Sequence, residues 1–216
     1  MSRRILVLVF LLISPGVMGS GLSDVGVKAG VGLMGWNLGL SYKINDFVGL
    51  SGETNFFNYS ADRNYKGVQY SGDLHLSSQA LMLNLYPFAG GFHITAGVVH
   101  NGNSVGLAGI PDQNGNYTFN GTTYSAQQVG TVSAGLGFKS SATYIGLGWG
   151  GNGSWGLTFD VGAIRQGSPG FSLSVSGASS NPQLAKDVAQ QQAASQQDVN
   201  SFTWFPQVKL GLYFTF

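Results

Sequence analysis

Apolar and polar residues alternate along most of the chain from Val25 onward. Val25, Val27, Ala29, Val31 and Leu33 share one parity, with Lys28 and Gly30 on the other. Period-two alternation gives a β-strand one oily side and one polar side. The phase flips at Met34-Gly35, after which Leu38, Leu40 and Tyr42 carry the apolar side; a flip beside glycine marks a tight turn or a bulge. The same pattern predicts strands from Val48 to Phe56, Leu74 to Leu85, Phe92 to Val98, Val132 to Phe138, Ala142 to Trp149, Trp155 to Ala163, Phe171 to Val175, and Phe202 to the end. That makes about ten strands, with eight as the alternative if the first hairpin and the strand at 171–177 are not separate staves.

The connections alternate in length. Those at 45–46, 86–91, 139–141 and 166–170 are short, and those at 57–70, 101–127 and 177–201 are long. Asn101-Gly102, Asn114-Gly115 and Asn120-Gly121 punctuate the second long segment and predict a small hairpin at Tyr117–Tyr124. In the third, Asn181-Pro182 predicts an N-cap followed by proline at the first helical position. A short helix over 183–197 follows, with only Leu184 and Val188 as an apolar stripe.

Composition narrows the fold class. Charged residues are 9% of the chain, against about a quarter in soluble domains. Arg3 and Arg4, the apolar run Ile5–Ile13 and the break at Ser14-Pro15-Gly16 have the form of a secretory signal peptide, with cleavage expected after Gly19. Removing 1–19 takes two of the ten basic residues and leaves eight against nine acids. A nearly neutral chain without a basic run does not suit nucleic acid. Cysteine is absent, which excludes disulfides and thiolate metal sites. After the signal no apolar stretch is long enough for a spanning helix. A secreted chain of low charge with 34 glycines and 12% aromatics fits an all-β, closed antiparallel transmembrane β-barrel over 20–216.

The final strand sharpens that reading. Val208, Leu210, Leu212, Phe214 and Phe216 alternate with Lys209, Gly211, Tyr213 and Thr215. The spacing of Lys209, Gly211, Phe214 and Phe216 resembles the C-terminal assembly signal of small outer-membrane β-barrel proteins of Gram-negative bacteria. The resemblance implies an outer-membrane location, short periplasmic turns, longer outer loops and recognition by the barrel-assembly machinery and periplasmic chaperones. It also implies contact with membrane lipid and lipopolysaccharide, as a monomer. A looser likeness, in Tyr70-Ser-Gly-Asp-Leu-His-Leu76, Tyr86-Pro-Phe-Ala-Gly-Gly-Phe92 and Gly167-Ser-Pro169, is to a group of barrel proteins with no assigned activity. It carries fold and location, and no mechanism.

If apolar parity marks lipid, the opposite parity places Lys28, Lys43, Glu53, Asp73, His75, His93, Asp160 and Lys209 in the lumen. Isolated buried charges are costly, so these groups either pair and fill a narrow barrel or line a small hydrated pore. Aromatics near strand ends, among them Tyr42, Phe56, Phe57, Tyr59, Tyr86, Phe88, Trp149, Trp155, Trp204 and Phe214, suit interfacial girdles.

No catalytic, cofactor or metal site is expected. His75-Leu76-Ser77 with Glu53 resembles the site of outer-membrane lipid A deacylases, which implies Ser77 as nucleophile, His75 as base and Glu53 as its orienter. The parity puts His75 and Ser77 inside, however, and Ser78 stands where that family has Asn. His75, His93 and His100 lack ligand spacing. Gly146–Gly151 lacks the lysine and helix of a phosphate loop. The expected role is structural or that of a narrow passive channel. The alternatives are surface adhesion or ligand binding through loops 101–127 and 177–201, or lipid hydrolysis.

Overall fold

The computed structural model describes residues 24–65 and 68–216; the signal segment 1–19 lies outside them. Its strands, in chain order, are β1 (Val25–Gly32), β2 (Gly35–Asn45), β3 (Val48–Tyr65), β4 (Val68–Leu85), β5 (Phe92–Asn101), β6 (Ser104–Gly109) and β7 (Asn116–Phe119). They continue as β8 (Thr122–Ser125), β9 (Val132–Gly137), β10 (Ser141–Trp149), β11 (Trp155–Arg165), β12 (Gly170–Val175) and β13 (Trp204–Thr215). Two helices, α1 (Ala126–Val129) and α2 (Pro182–Val199), interrupt the later strands.

The terminal strand β13 closes the barrel, pairing with β1 on one side and β11 on the other. Around the ring the order is β1, β2, β3, β4, β5, β10, β11 and β13, all antiparallel. Closure leaves no barrel edge unpaired. Eight staves rather than ten make this ring. The first hairpin is real, with its turn at Leu33-Met34, but the strands at 132–137 and 170–175 lie outside the barrel. Alternation marks a strand without saying what it pairs with.

Those two strands belong to a crown built on one end. β3 and β4 pair without a break from Val48↔Leu85 to Tyr65↔Val68, so 57–65 is strand rather than the loop its polarity predicts. The lower half of β4, Ser78 to Leu85, pairs with β5. Its upper half, Tyr70 to His75, pairs with β6. From there the sheet continues through β9 to β12. The hairpin β7–β8, α1 and α2 pack onto this sheet around Phe119, Tyr124, Val129, Val175, Leu184 and Val188. Asn181 caps α2 by accepting from Leu184 N, with Pro182 next to it.

At the opposite end the connections are 46–47, 86–91 and 150–154. Asn45 tightens the first by accepting from Phe47 N and Val48 N, both at 2.9 Å. The segments 139–141 and 166–170, which the length pattern groups with these turns, lie at the crown end. The outside of the barrel is apolar on every stave, as Leu38, Leu50, Leu83, Ile94, Leu147, Leu157 and Leu210 illustrate. Trp36, Phe56 and Trp204 ring the crown end of this belt, and Phe88, Trp149, Trp155 and Phe214 the turn end, with Trp155 74% exposed. A solvated surface does not carry such a continuous band; lipid does. Tyr86 turns into the lumen instead, and Phe57 and Tyr59 stand above the belt.

Candidate functional site

The inward parity of each stave delivers its side chains to one narrow interior. Lys209 from β13 meets Glu53 from β3, Nζ to Oε2 at 2.5 Å. Asn37 Nδ2 donates to the same Glu53 oxygen at 3.1 Å and to Asn55 Oδ1 at 3.0 Å. Asn55 Nδ2 donates to Ser78 Oγ, which leans on Met34 Sδ at 3.8 Å. A second chain runs from Thr95 Oγ1 through Asn84 to Ser51 Oγ at 2.8 and 2.9 Å. Buried charges and amides paired in this way avoid the cost of naked burial.

Towards the turns, His93 Nε2 lies 3.0 Å from Asp160 Oδ1, and Nδ1 lies 3.0 Å from Gly91 O. A carbonyl can only accept, so Nδ1 carries a proton. Gly148 makes this pair feasible, because a Cβ there would collide with Asp160 Oδ1 and His93 Nε2. Gly146 does the same for the Tyr144 ring, which faces Lys209 Nζ at 5.5 Å. Tyr86 packs against His93 at 5.3 Å between centroids, and Lys43 lies over Tyr86 at 5.5 Å.

Towards the crown the lumen holds an apolar cluster, with Ser78 and Gln207 buried beside it. Met34, from the β1–β2 turn, is 1% exposed and packs with Met82, Val99, Ala142, Tyr144 and Ile164, with Phe205 beside them. Small cavities lie among these side chains, one of about 10 Å³ among Lys28, Asn37, Glu53, Thr158, Asp160 and Lys209, and one of about 20 Å³ beside Met82, Tyr144 and Gln207. Each has room for about one water.

Of the eight charged or titratable residues that parity assigns to the lumen, Lys28, Glu53, His93, Asp160 and Lys209 lie inside. Lys43 sits at the turn-end rim, bonded to Asn152 Oδ1 at 3.3 Å. Asp73 and His75 are not in the lumen. They lie on the crown half of β4, where Asp73 accepts from Ser60 Oγ at 2.6 Å and His75 pairs with Asn58. His75 and Ser77 share the outer side of the crown sheet, and Glu53 is inside the barrel, so the arrangement His75, Ser77 and Glu53 is not assembled. Asn37, Ser51, Asn55, Ser78, Asn84 and Thr95 escape a search for charge alone; the parity opposite the lipid-facing residues of each stave was the available signal.

A closed eight-stave barrel with a strand-built crown has solved counterparts. The fold matches the crystal structure of CarO from Acinetobacter baumannii at a TM-score of 0.60 and 24% identity, over 91% of this chain and 100% of that one. CarO2 from the same organism matches at 0.59 and 24%, over 89% and 98%. The likeness is one of fold. No family model and no curated protein matches the chain.

The crown holds a second polar centre, on α2. Asp187 is buried in the helix and accepts from Tyr124 Oη at 2.5 Å and from Gln183 Nε2 at 3.2 Å. Tyr124 hydrogen bonding holds the Asp187 carboxyl below the usual carboxylate range, helped by Gln183 and Asn120, although burial opposes the shift. The same bond, with burial, pushes the Tyr124 hydroxyl up. Asn120, at the Asn-Gly tip of β7–β8 with φ of 49°, donates from Nδ2 to Gln190 Oε1 at 2.6 Å and to Asp187 Oδ1 at 3.5 Å. Its backbone N–H reaches Gln191 Oε1 at 3.2 Å. The hairpin tip is thus gripped by one turn of α2.

Proposed function

We propose that this protein is an outer-membrane barrel with no solute path, which anchors the crown at the cell surface and has no catalytic role. The observation that carries the reading is the filled lumen. The Lys209–Glu53 and His93–Asp160 pairs span the interior, and the Met34 cluster lies over them. A pore needs a continuous hydrated path, whereas the two cavities described among Lys28, Glu53, Asp160, Lys209, Met82 and Tyr144 have room for about one water each. The short turns face the periplasm and the crown faces outward, in keeping with the asymmetry of barrels of this class.

The belt meets membrane lipid and, on the outer leaflet, lipopolysaccharide; the barrel is a monomer. During biogenesis periplasmic chaperones deliver the chain, and the barrel-assembly machinery reads Lys209, Gly211, Phe214 and Phe216. Recordings in planar bilayers test the closed lumen. No unitary current steps are expected between moderate positive and negative potentials. Regular steps whose size changes in Lys209→Met would establish the narrow-channel reading instead.

A further inference from the structure

The crown sheet has two edges, and the chain treats them differently. At one end β12 is covered by α2. Phe171 N donates to Gln196 Oε1 at 2.7 Å and Leu173 N to Gln192 Oε1 at 3.2 Å. Helix positions four apart rise about 6 Å and strand positions two apart about 6.6 Å, so the two glutamines match the edge amides. The Gln-rich composition of α2 therefore protects an edge strand.

At the other end β3 is open. β2 leaves it after Trp36↔Phe56, and among the described residues β3 pairs from Phe57 to Tyr65 with β4 alone. These nine residues extend about 30 Å beyond the last β2 contact. The stretch contains no proline and no lysine, its charges Asp62 and Arg63 lie beyond Ala61, and its register with β4 is unbroken, so the usual devices that blunt an edge are missing from Phe57–Ala61. Among the described residues no side chain bonds to its backbone groups. Both faces of Phe57 to Ser60 are exposed, and the Phe57 and Tyr59 rings stack at 6.3 Å and 10°, with 37% and 49% exposure.

We infer that the free edge of β3, centred on Phe57–Ala61, is a strand-addition site for an extended peptide segment of another polypeptide. An unpaired row of alternating N–H and C=O groups is complementary to one chemistry, a second extended backbone. The exposed aromatics select its side chains: apolar or aromatic residues at alternate positions on the side of Phe57 and Tyr59, and small polar residues on the side of Asn58 and Ser60. A second barrel in the same membrane is a poor occupant. A two-fold axis along the membrane normal would bring two tilted β3 strands together at a wide angle rather than in register.

The site rests on the crown lying outside the cell, and the two ideas fail separately. The probe is a fluorescent peptide of about ten residues alternating Val or Tyr with Thr, made in several registers, with a fully N-methylated counterpart as control. Binding is measured to the whole protein in detergent micelles, with amide exchange located along β3. The unmodified peptide is expected to slow exchange at Phe57–Ala61, and the N-methylated one to bind at least about tenfold more weakly. The double substitution Phe57→Lys and Tyr59→Lys, on exposed positions, is expected to lose about tenfold as well. Equal binding of the two peptides, absence of binding in every register, or protection elsewhere in the chain would overturn the inference. Separately, Ser60→Cys in this cysteine-free chain should react with a membrane-impermeant maleimide on intact cells. Failure there, with labelling of the purified protein, would overturn the surface reading and leave the peptide result to judge the edge.

Discussion

Lys209 has two roles that one residue rarely combines. In the chain it is the polar position of the terminal pattern; in the barrel it supplies the cation for Glu53, at 2.5 Å. Removing one partner of such a pair strands the other in a dry interior, at a cost of about 3–5 kcal/mol. Glu53→Gln and Lys209→Met should each lower the unfolding free energy of the barrel, read from its urea transition, by that amount. The double variant should recover most of it, because no uncompensated charge remains. Equal midpoints for all four proteins would show that the pair is hydrated and weak. Position 148 works on the same scale, since glycine there is what admits the His93–Asp160 contact. Gly146 and Gly148 make room for lumen side chains, Tyr144 on the same stave and His93 and Asp160 on its two neighbours.

At the scale of the element, β3 and β4 show where parity arguments change sign. Leu81, Leu83 and Leu85 face lipid, while Leu74 and Leu76 have the opposite parity, with no bulge between them. Above the belt the apolar side is the one beneath the crown, so the rule that apolar means lipid-facing inverts. That inversion is why Asp73 and His75 fall on the outer side and not in the lumen. The grip of α2 on the β7–β8 tip is an element-scale property too. The Asp187 carboxyl titrates lower in the fold than in the free chain, so its stabilisation is complete above about pH 4 and is lost as pH falls through its folded value. Tyr124 titrates higher in the fold, so its share is complete below about pH 10 and is lost on going higher. Amide protection factors in β7, β8 and α2, taken relative to the intrinsic exchange rate at each pH, should therefore be flat between those limits and fall outside them, with the acid limb absent in Asp187→Asn. A loss of protection in acid that persists in Asp187→Asn would assign it to another group.

For the whole molecule, the barrel closes only when β13 finds both β1 and β11. Phe216 adds little to the finished ring beyond its N–H bond to Val25 O at 3.1 Å and an edge-on contact with Phe214. Phe216→Ala is accordingly expected to slow the appearance of heat-modifiable, folded protein in the membrane while leaving the urea midpoint of the folded fraction nearly unchanged. Wild-type insertion rates in a pulse-chase experiment would argue against a role for the terminal aromatic in assembly. The barrel and the crown also have separate cores, one around Met34 and Met82, the other around Val129 and Leu184. Damage to the crown core can thus leave the barrel closed.

Period-two alternation, scarce charge and the apolar terminal strand were enough to specify a closed antiparallel transmembrane barrel, because a strand that alternates against lipid must hide its edge hydrogen bonds in a ring. The Asn-Gly hairpin and the capped helix after Asn181 were equally local, since turn and cap chemistry act within a few residues. What the chain alone left undecided was neighbour choice. Only the tertiary structure made β4 the partner of both β5 and β6, moved 132–137 and 170–175 from the ring to the crown, and set Lys209 against Glu53 across 156 residues of sequence. Pairing at that separation depends on which edges meet in space, and alternation carries no record of it.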